Sequence, residues 1–113
     1  MTHIIGNLEW QLEHSPDRMR WEEATNYAKS LGDGWRLPTI KELASLVDYS
    51  VLNPAISEPF VHCTETAVYW SSTTYADYTS YAWYVYFHNG YVDNSYKANS
   101  YYVRCVRSVE VEE

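Results

Sequence analysis

A chain of 113 residues and 13.3 kDa has room for one domain built on one core. Its net charge of −7 and sequence pI near 4.9 argue against a protein that tracks nucleic-acid phosphates with a basic face. No apolar run approaches the roughly 20 residues of a membrane helix.

The opening Met1-Thr2-His3-Ile4-Ile5-Gly6 has neither a basic region nor a long apolar stretch, so no signal peptide is evident. A cytoplasmic location is the default expectation, with surface association by another route as the alternative. Leu8, Trp10 and Leu12 alternate with Glu9, Gln11 and Glu13, which predicts a half-buried strand. After the turn-forming His14-Ser15-Pro16-Asp17, the positions Trp21, Ala24, Ala28 and Leu31 fall on one face of a helix that Gly32 ends. Thr39 and Glu42 form a capping box for a second helix, with Ile40, Leu43, Ala44 and Val47 facing inward. Asn53-Pro54 and Glu58-Pro59 interrupt regular structure. Glu22, Glu23 and Glu42 are better read as helix N-terminal carboxylates than as catalytic acids.

From Ala82 to His88 the pattern alternates again, with Trp83, Val85 and Phe87 expected inside and Tyr84, Tyr86 and His88 outside. Asn89-Gly90 predicts a two-residue hairpin turn. That register opposes His88 to Tyr91, Phe87 to Val92 and Tyr86 to Asp93, and gathers Tyr84, Tyr86, His88, Tyr91, Asp93 and Ser95 on one outer face. Val103, Cys105 and Val106 predict a final strand apolar on both sides.

Ile, Leu, Val and Phe together number only 23, so five tryptophans are expected to supply the missing core. Tyrosine is in excess: 10 of 12 lie between Tyr69 and Tyr102. Charge separates the chain in the same place. Residues 1–68 carry a net −5, residues 69–107 a net +1, and the acidic tail 108–113, expected to fray, a net −3. Outside the core positions, residues 75–102 are almost all Tyr, Asn, Ser, Asp, Thr, Ala or His, the palette of an antibody paratope. Simple filling of cross-strand positions by aromatic residues is the competing account. The expected ligand-binding set is Tyr75, Asp77, Tyr78, Tyr81, Tyr84, Tyr86, His88, Tyr91, Asp93, Asn94, Ser95, Tyr96, Asn99, Ser100 and Tyr101.

The strings Trp21-Glu22-Glu23-Ala24, Trp35-Arg36-Leu37-Pro38-Thr39-Ile40-Lys41-Glu42-Leu43, Tyr69-Trp70-Ser71-Ser72-Thr73 and Val103-Arg104-Cys105-Val106-Arg107 resemble the C-terminal domain family of the Legionella collagen-like adhesin. The resemblance spans nearly the whole chain. It implies an α+β, C-type-lectin-like fold with two helices flanking a small, twisted, mostly antiparallel sheet. It also implies a glycan-binding adhesin role as an alternative to protein recognition.

The last tract further resembles the variable proteins of diversity-generating retroelements. A frame of Ala82, Trp83, Phe87, Gly90, Val92, Lys97, Val103, Arg104, Val106 and Arg107 encloses thirteen residues that an asparagine codon reaches by adenine substitution alone. These are Tyr84, Tyr86, His88, Asn89, Tyr91, Asp93, Asn94, Ser95, Tyr96, Ala98, Asn99, Ser100 and Tyr101. Within the frame, Lys97 and Arg104 are expected to brace loops.

The chain departs from its relatives at Ala28, where they often carry a cysteine that pairs with the one at Cys105. Cys63 is the other candidate partner, and free thiols are the expectation for a reducing compartment. Calcium-dependent lectins of this fold use Glu-Pro-Asn and Trp-Asn-Asp motifs, but Glu58-Pro59 is followed here by Phe60. Formylglycine-generating enzymes share the broad fold and need a second nearby cysteine. His62-Cys63 lacks further ligands at zinc spacing, and His3, His14 and His88 have no evident relation to a nucleophile. The expectation is a non-catalytic domain without cofactor or metal, binding an unknown protein or glycan, with oligomerisation through the tyrosines left open.

Overall fold

A computed structural model describes residues 1–109. Of the tail 108–113 expected to fray, Ser108 instead ends a strand and the Val109 amide donates to the Asn7 carbonyl at 2.9 Å, while residues 110–113 lie outside the described range. Two helices accompany two antiparallel three-stranded sheets. Strands β1 (Thr2–Ile5), β2 (Leu8–Gln11) and β6 (Val106–Ser108) form the first, in the order β1-β2-β6. Strands β3 (Val68–Thr74), β4 (Tyr81–Tyr86) and β5 (Tyr91–Tyr96) form the second, in chain order. The strand expected around Leu8 is present, and β1 in front of it went unread. Ile4 and Ile5 are both exposed on an edge strand, so no in–out alternation marks it.

Helix α1 (Trp21–Ser30) buries Ala24 and Ala28 and stops before Gly32, whose φ of +69° suits glycine. Leu31, expected on its inner face, is exposed, because the chain leaves the helix there. Helix α2 (Ile40–Ala44) carries the predicted box: the Thr39 hydroxyl accepts the Glu42 amide and the Glu42 carboxylate accepts the Thr39 amide. It is only five residues long. Beyond it Leu46 is buried, while Val47 packs at the core margin.

The core has two parts. Trp10, Leu43, Ile56, Phe60, Tyr69, Val85, Phe87 and Val106 form one; Ala24, Ala28, Leu37, Trp70, Ala82, Val103 and Cys105 form the other. The tryptophans therefore contribute less than composition suggested. Trp10 and Trp70 are fully buried, Trp21 and Trp35 only flank the second cluster, and Trp83 belongs to neither. Strand β4 explains the last point. It is covered on both sides, by Val85 in one cluster and Ala82 in the other, so the inside is not a single face.

The hairpin β4–β5 differs from expectation by two residues. Tyr86 opposes Tyr91, Val85 opposes Val92 and Tyr84 opposes Asp93, which leaves a four-residue loop from Phe87 to Gly90. The Phe87 amide donates to the Ala67 carbonyl at 2.9 Å and its carbonyl accepts the Ala55 amide at 2.7 Å, so its backbone is already engaged and cannot pair with Val92. A slip of two preserves the faces, whereas a slip of one would invert them.

The expected last strand is also shorter. Val103, Arg104 and Cys105 are buried but irregular, and Val103 hydrogen-bonds to Ser15 and Cys105 to Gln11 before β6 begins.

Candidate functional site

The register places Tyr86 beside Tyr91, Tyr84 beside Asp93 and Ala82 beside Ser95, all on one side of the second sheet. Residues 101–102 return alongside that side. The Met19 and Tyr101 backbones exchange hydrogen bonds of 2.7 and 2.9 Å, holding Tyr101 over Trp70 with ring centroids 4.8 Å apart. Tyr84 lies 5.8 Å from Tyr101, and His88 lies 5.4 Å from Tyr86. Short polar groups tie the rings together. The Tyr101 and Ser95 hydroxyls are 2.9 Å apart, the Asn99 amide donates to Ser95 at 2.9 Å, and the Tyr91 hydroxyl points to Asp93 at 3.4 Å.

The other side of the same sheet carries Tyr81, Trp83, Asn94 and Tyr96. Tyr75 and Tyr78, from the β3–β4 loop, join them. Ring centroids run from Trp83 to Tyr75 (5.3 Å), to Tyr78 (6.1 Å), to Tyr81 (6.1 Å) and to Tyr96 (5.7 Å). The expected single tyrosine surface is thus two surfaces back to back, because successive strand residues point to opposite sides. Asp77 is exposed in the loop that carries Tyr78, and Ser100 is exposed in the turn after β5.

Tyr84 is not free on the outer side as expected. Half-buried against the second core cluster, its phenol is pushed above its ordinary pKa by burial and then by the Asp93 charge. Tyr86 is half-buried and Tyr91 is 55% exposed, so these two present their rings.

A cleft of about 260 Å³ opens beside them, lined by Arg18, Thr66, Ala67, Val68, Tyr86, Tyr101 and Tyr102. A larger cleft, about 730 Å³, lies instead at the start of α1, where Arg20 pairs with Glu23 at 3.2 Å. There Lys97 lies 4.0 Å from the centroid of the Trp21 ring and donates to Thr74 at 3.0 Å. Arg20 and Glu23 pair with each other and Lys97 is tied to Trp21 and Thr74, so this cleft joins α1 to the tract, with Glu22 on its rim.

The bracing expected of Arg104 takes a definite form. It is fully buried and donates to the carbonyls of Leu12 (2.6 Å) and Cys63 (2.8 Å) and to the Thr64 hydroxyl (2.9 Å). No carboxylate pairs with it among the described residues, and burial pushes its guanidinium below the ordinary value. Arg107 reaches Glu9 at 2.7 Å and lies over Trp35. Both cysteines are free thiols, and burial pushes that of Cys105 up to about 12.

Glu23 and Glu42 serve helix starts, and Glu42 is further engaged by Arg36 at 2.7 Å. His62 pairs with Glu58 at 3.0 Å on the surface. Among the described residues no three His, Cys, Asp or Glu side chains gather as a metal-sized cluster, and no helix is long and apolar enough to cross a membrane.

Sequence reasoning missed Arg18, Thr66, Ala67, Val68 and Tyr102 as neighbours of the tyrosines. It also missed Tyr49, Val51 and Leu52, which are exposed, with Tyr49 lining a shallow cleft against Tyr91. No local signal marks the first five, which come together only through the Met19–Tyr101 and Tyr69–Tyr102 bridges. No curated protein matches the sequence. The family model of the Lcl C-terminal domain matches residues 1–107, and the chain belongs to that family.

Proposed function

We propose that this chain is a non-catalytic, adhesin-like ligand-binding domain of C-type-lectin-like fold, and a variable protein of a diversity-generating retroelement. Its recognition surface is the side bearing Tyr86, Tyr91, Asp93, Ser95 and Tyr101. Rings supply contact area at little rotamer cost, and Asn, Ser and Asp supply directional hydrogen bonds.

One observation carries the reading. Each of the thirteen adenine-reachable residues, from Tyr84 to Tyr101, is exposed or half-buried. Of the ten frame residues, Ala82, Phe87, Gly90, Val103, Arg104 and Val106 are buried, and none of the remaining four is exposed. A code-level division of the tract therefore coincides with a physical one. Substitution at the thirteen changes the surface, and only Tyr84 and Tyr101 among them also pack against the second core cluster.

The test has two arms. A near-identical template repeat beside a reverse transcriptase, differing only at adenines, is expected in the source genome; without one, the diversification reading fails. For binding, a random-peptide display library is captured on the wild-type chain and on a Tyr86→Ser/Tyr91→Ser variant. Loss of capture with an unchanged melting temperature is expected, and equal capture would refute the assigned surface.

The opposite side favours a second reading. Tyr75, Tyr78, Tyr81 and Tyr96 offer aromatic surface without a cation, which suits the uncharged rings of a neutral glycan better than a sulfated one. Retention on a neutral glycan array that Tyr78→Ser abolishes would favour this alternative.

A further inference from the structure

The cleft beside the tyrosine face combines a cation and an apolar wall from outside the variable tract with two tyrosines from within it. Its cation, Arg18, sits 5.5 Å from the centroid of the Tyr102 ring and is exposed. Among the described residues no carboxylate pairs with it, although all four other ion pairs there take up Arg20, Arg36, His62 or Arg107. Its wall is apolar at Ala67 and Val68, with a hydroxyl at Thr66. Its far side is formed by Tyr86 and Tyr101, two of the thirteen substitutable positions.

The volume of about 260 Å³ accommodates a residue-sized group, and no second arginine or lysine lines it. One planar cation beside an apolar wall matches one carboxylate beside an apolar side chain. A sulfated polysaccharide would instead need a row of cations, and this cleft is lined by a single one. A constant subsite next to a substitutable one is suited to a group common to many ligands, and the terminal carboxylate is common to all unmodified peptide chains.

We propose that Arg18 captures the C-terminal carboxylate of a peptide or protein ligand, with the last side chain against Ala67 and Val68, while Tyr86 and Tyr101 read the preceding residues. This inference rests on the tyrosine face being the recognition surface.

The experiment uses the complete chain and a random-peptide library displayed with free C-termini. Enriched peptides are synthesised with a free carboxylate and as the C-terminal amide, and titrated against the wild type, Arg18→Gln and Tyr86→Ser. Amidation is expected to weaken binding at least tenfold on the wild type. Arg18→Gln should bind acid and amide alike, with an unchanged melting temperature because the side chain is exposed. Tyr86→Ser should weaken both forms. Equal binding of acid and amide by the wild type, with loss in Tyr86→Ser, would remove the carboxylate subsite and leave the face standing. Failure to enrich any free-terminus peptide, or capture of a heparin oligosaccharide that depends on Arg18, would overturn the subsite as well.

Discussion

The two sheets of this domain hold their surfaces by different means. Around β1-β2-β6 and the helices, charge is paired: Arg107 with Glu9, Arg36 with Glu42, Arg20 with Glu23. Within residues 68–102, which hold β3-β4-β5, no ion pair occurs among the described residues, and rings and short hydroxyl or amide contacts take over. An acidic, ion-paired scaffold thus carries a nearly neutral, tyrosine-rich sheet. General salt effects fall mainly on the scaffold.

Several substitutions test that contrast, beginning with the strongest. Trp70 is buried where the tyrosine sheet meets the second core cluster, so Trp70→Ala should cost about 3–5 kcal/mol in denaturant unfolding. A much smaller loss would mean that the sheet does not depend on its floor. Arg104→Met removes the donors of two carbonyls and a hydroxyl, and should cost about 2–3 kcal/mol. Arg104→Lys should recover little of it, since an ammonium cannot reproduce the fork.

Alkali gives a third test. Burial raises the folded-state pKa of Cys105 from 9.0 to about 12, so its contribution is fully present below pH 9 and lost as pH rises from there towards 12. By pH 10 the loss should be on the order of 1 kcal/mol, visible in urea melts and reduced in Cys105→Ala.

The scaffold responds to acid in the opposite sense. The Arg36 hydrogen bonds hold the Glu42 carboxyl below its ordinary 4.5, so its contribution is present above that value and lost as pH falls through the depressed one. The pair is partly exposed, and Glu42→Gln should cost about 1 kcal/mol or less at neutral pH. Smallest in stability is the pair Tyr86→Ser and Tyr91→Ser, expected to stay within about 0.5 kcal/mol each while abolishing capture. A large loss of stability there would make those rings core and erase the contrast.

Much of this arrangement was legible in the residues. The capping box at Thr39 and the Gly32 stop are local signals, and the structure carries both; the alternation of residues 82–88 is carried only as far as Tyr86, with both of its sides covered. What escaped depended on distant partners. The hairpin loop is long because Ala55 and Ala67 claim the backbone of Phe87, and neither is near it in sequence. Tyr84 was assigned outward by alternation, yet Trp70 and Tyr101 close over that side. The even division of the tyrosines between two sides was implicit in strand alternation for Tyr81 and Tyr84. For Tyr75 and Tyr78 it was set by how a loop folds back. Arg18 had no signal at all, because its neighbour Tyr102 is 84 positions further along.

Arg104 also has a temporal consequence. Its acceptors at Leu12, Cys63 and Thr64 leave the ribosome long before it does. The tyrosine strands are therefore synthesised before the donor that locks the two halves together exists. A chain that ends before Arg104 lacks that lock together with the buried Cys105 and Val106, and is expected to be unfolded and not merely a defective binder.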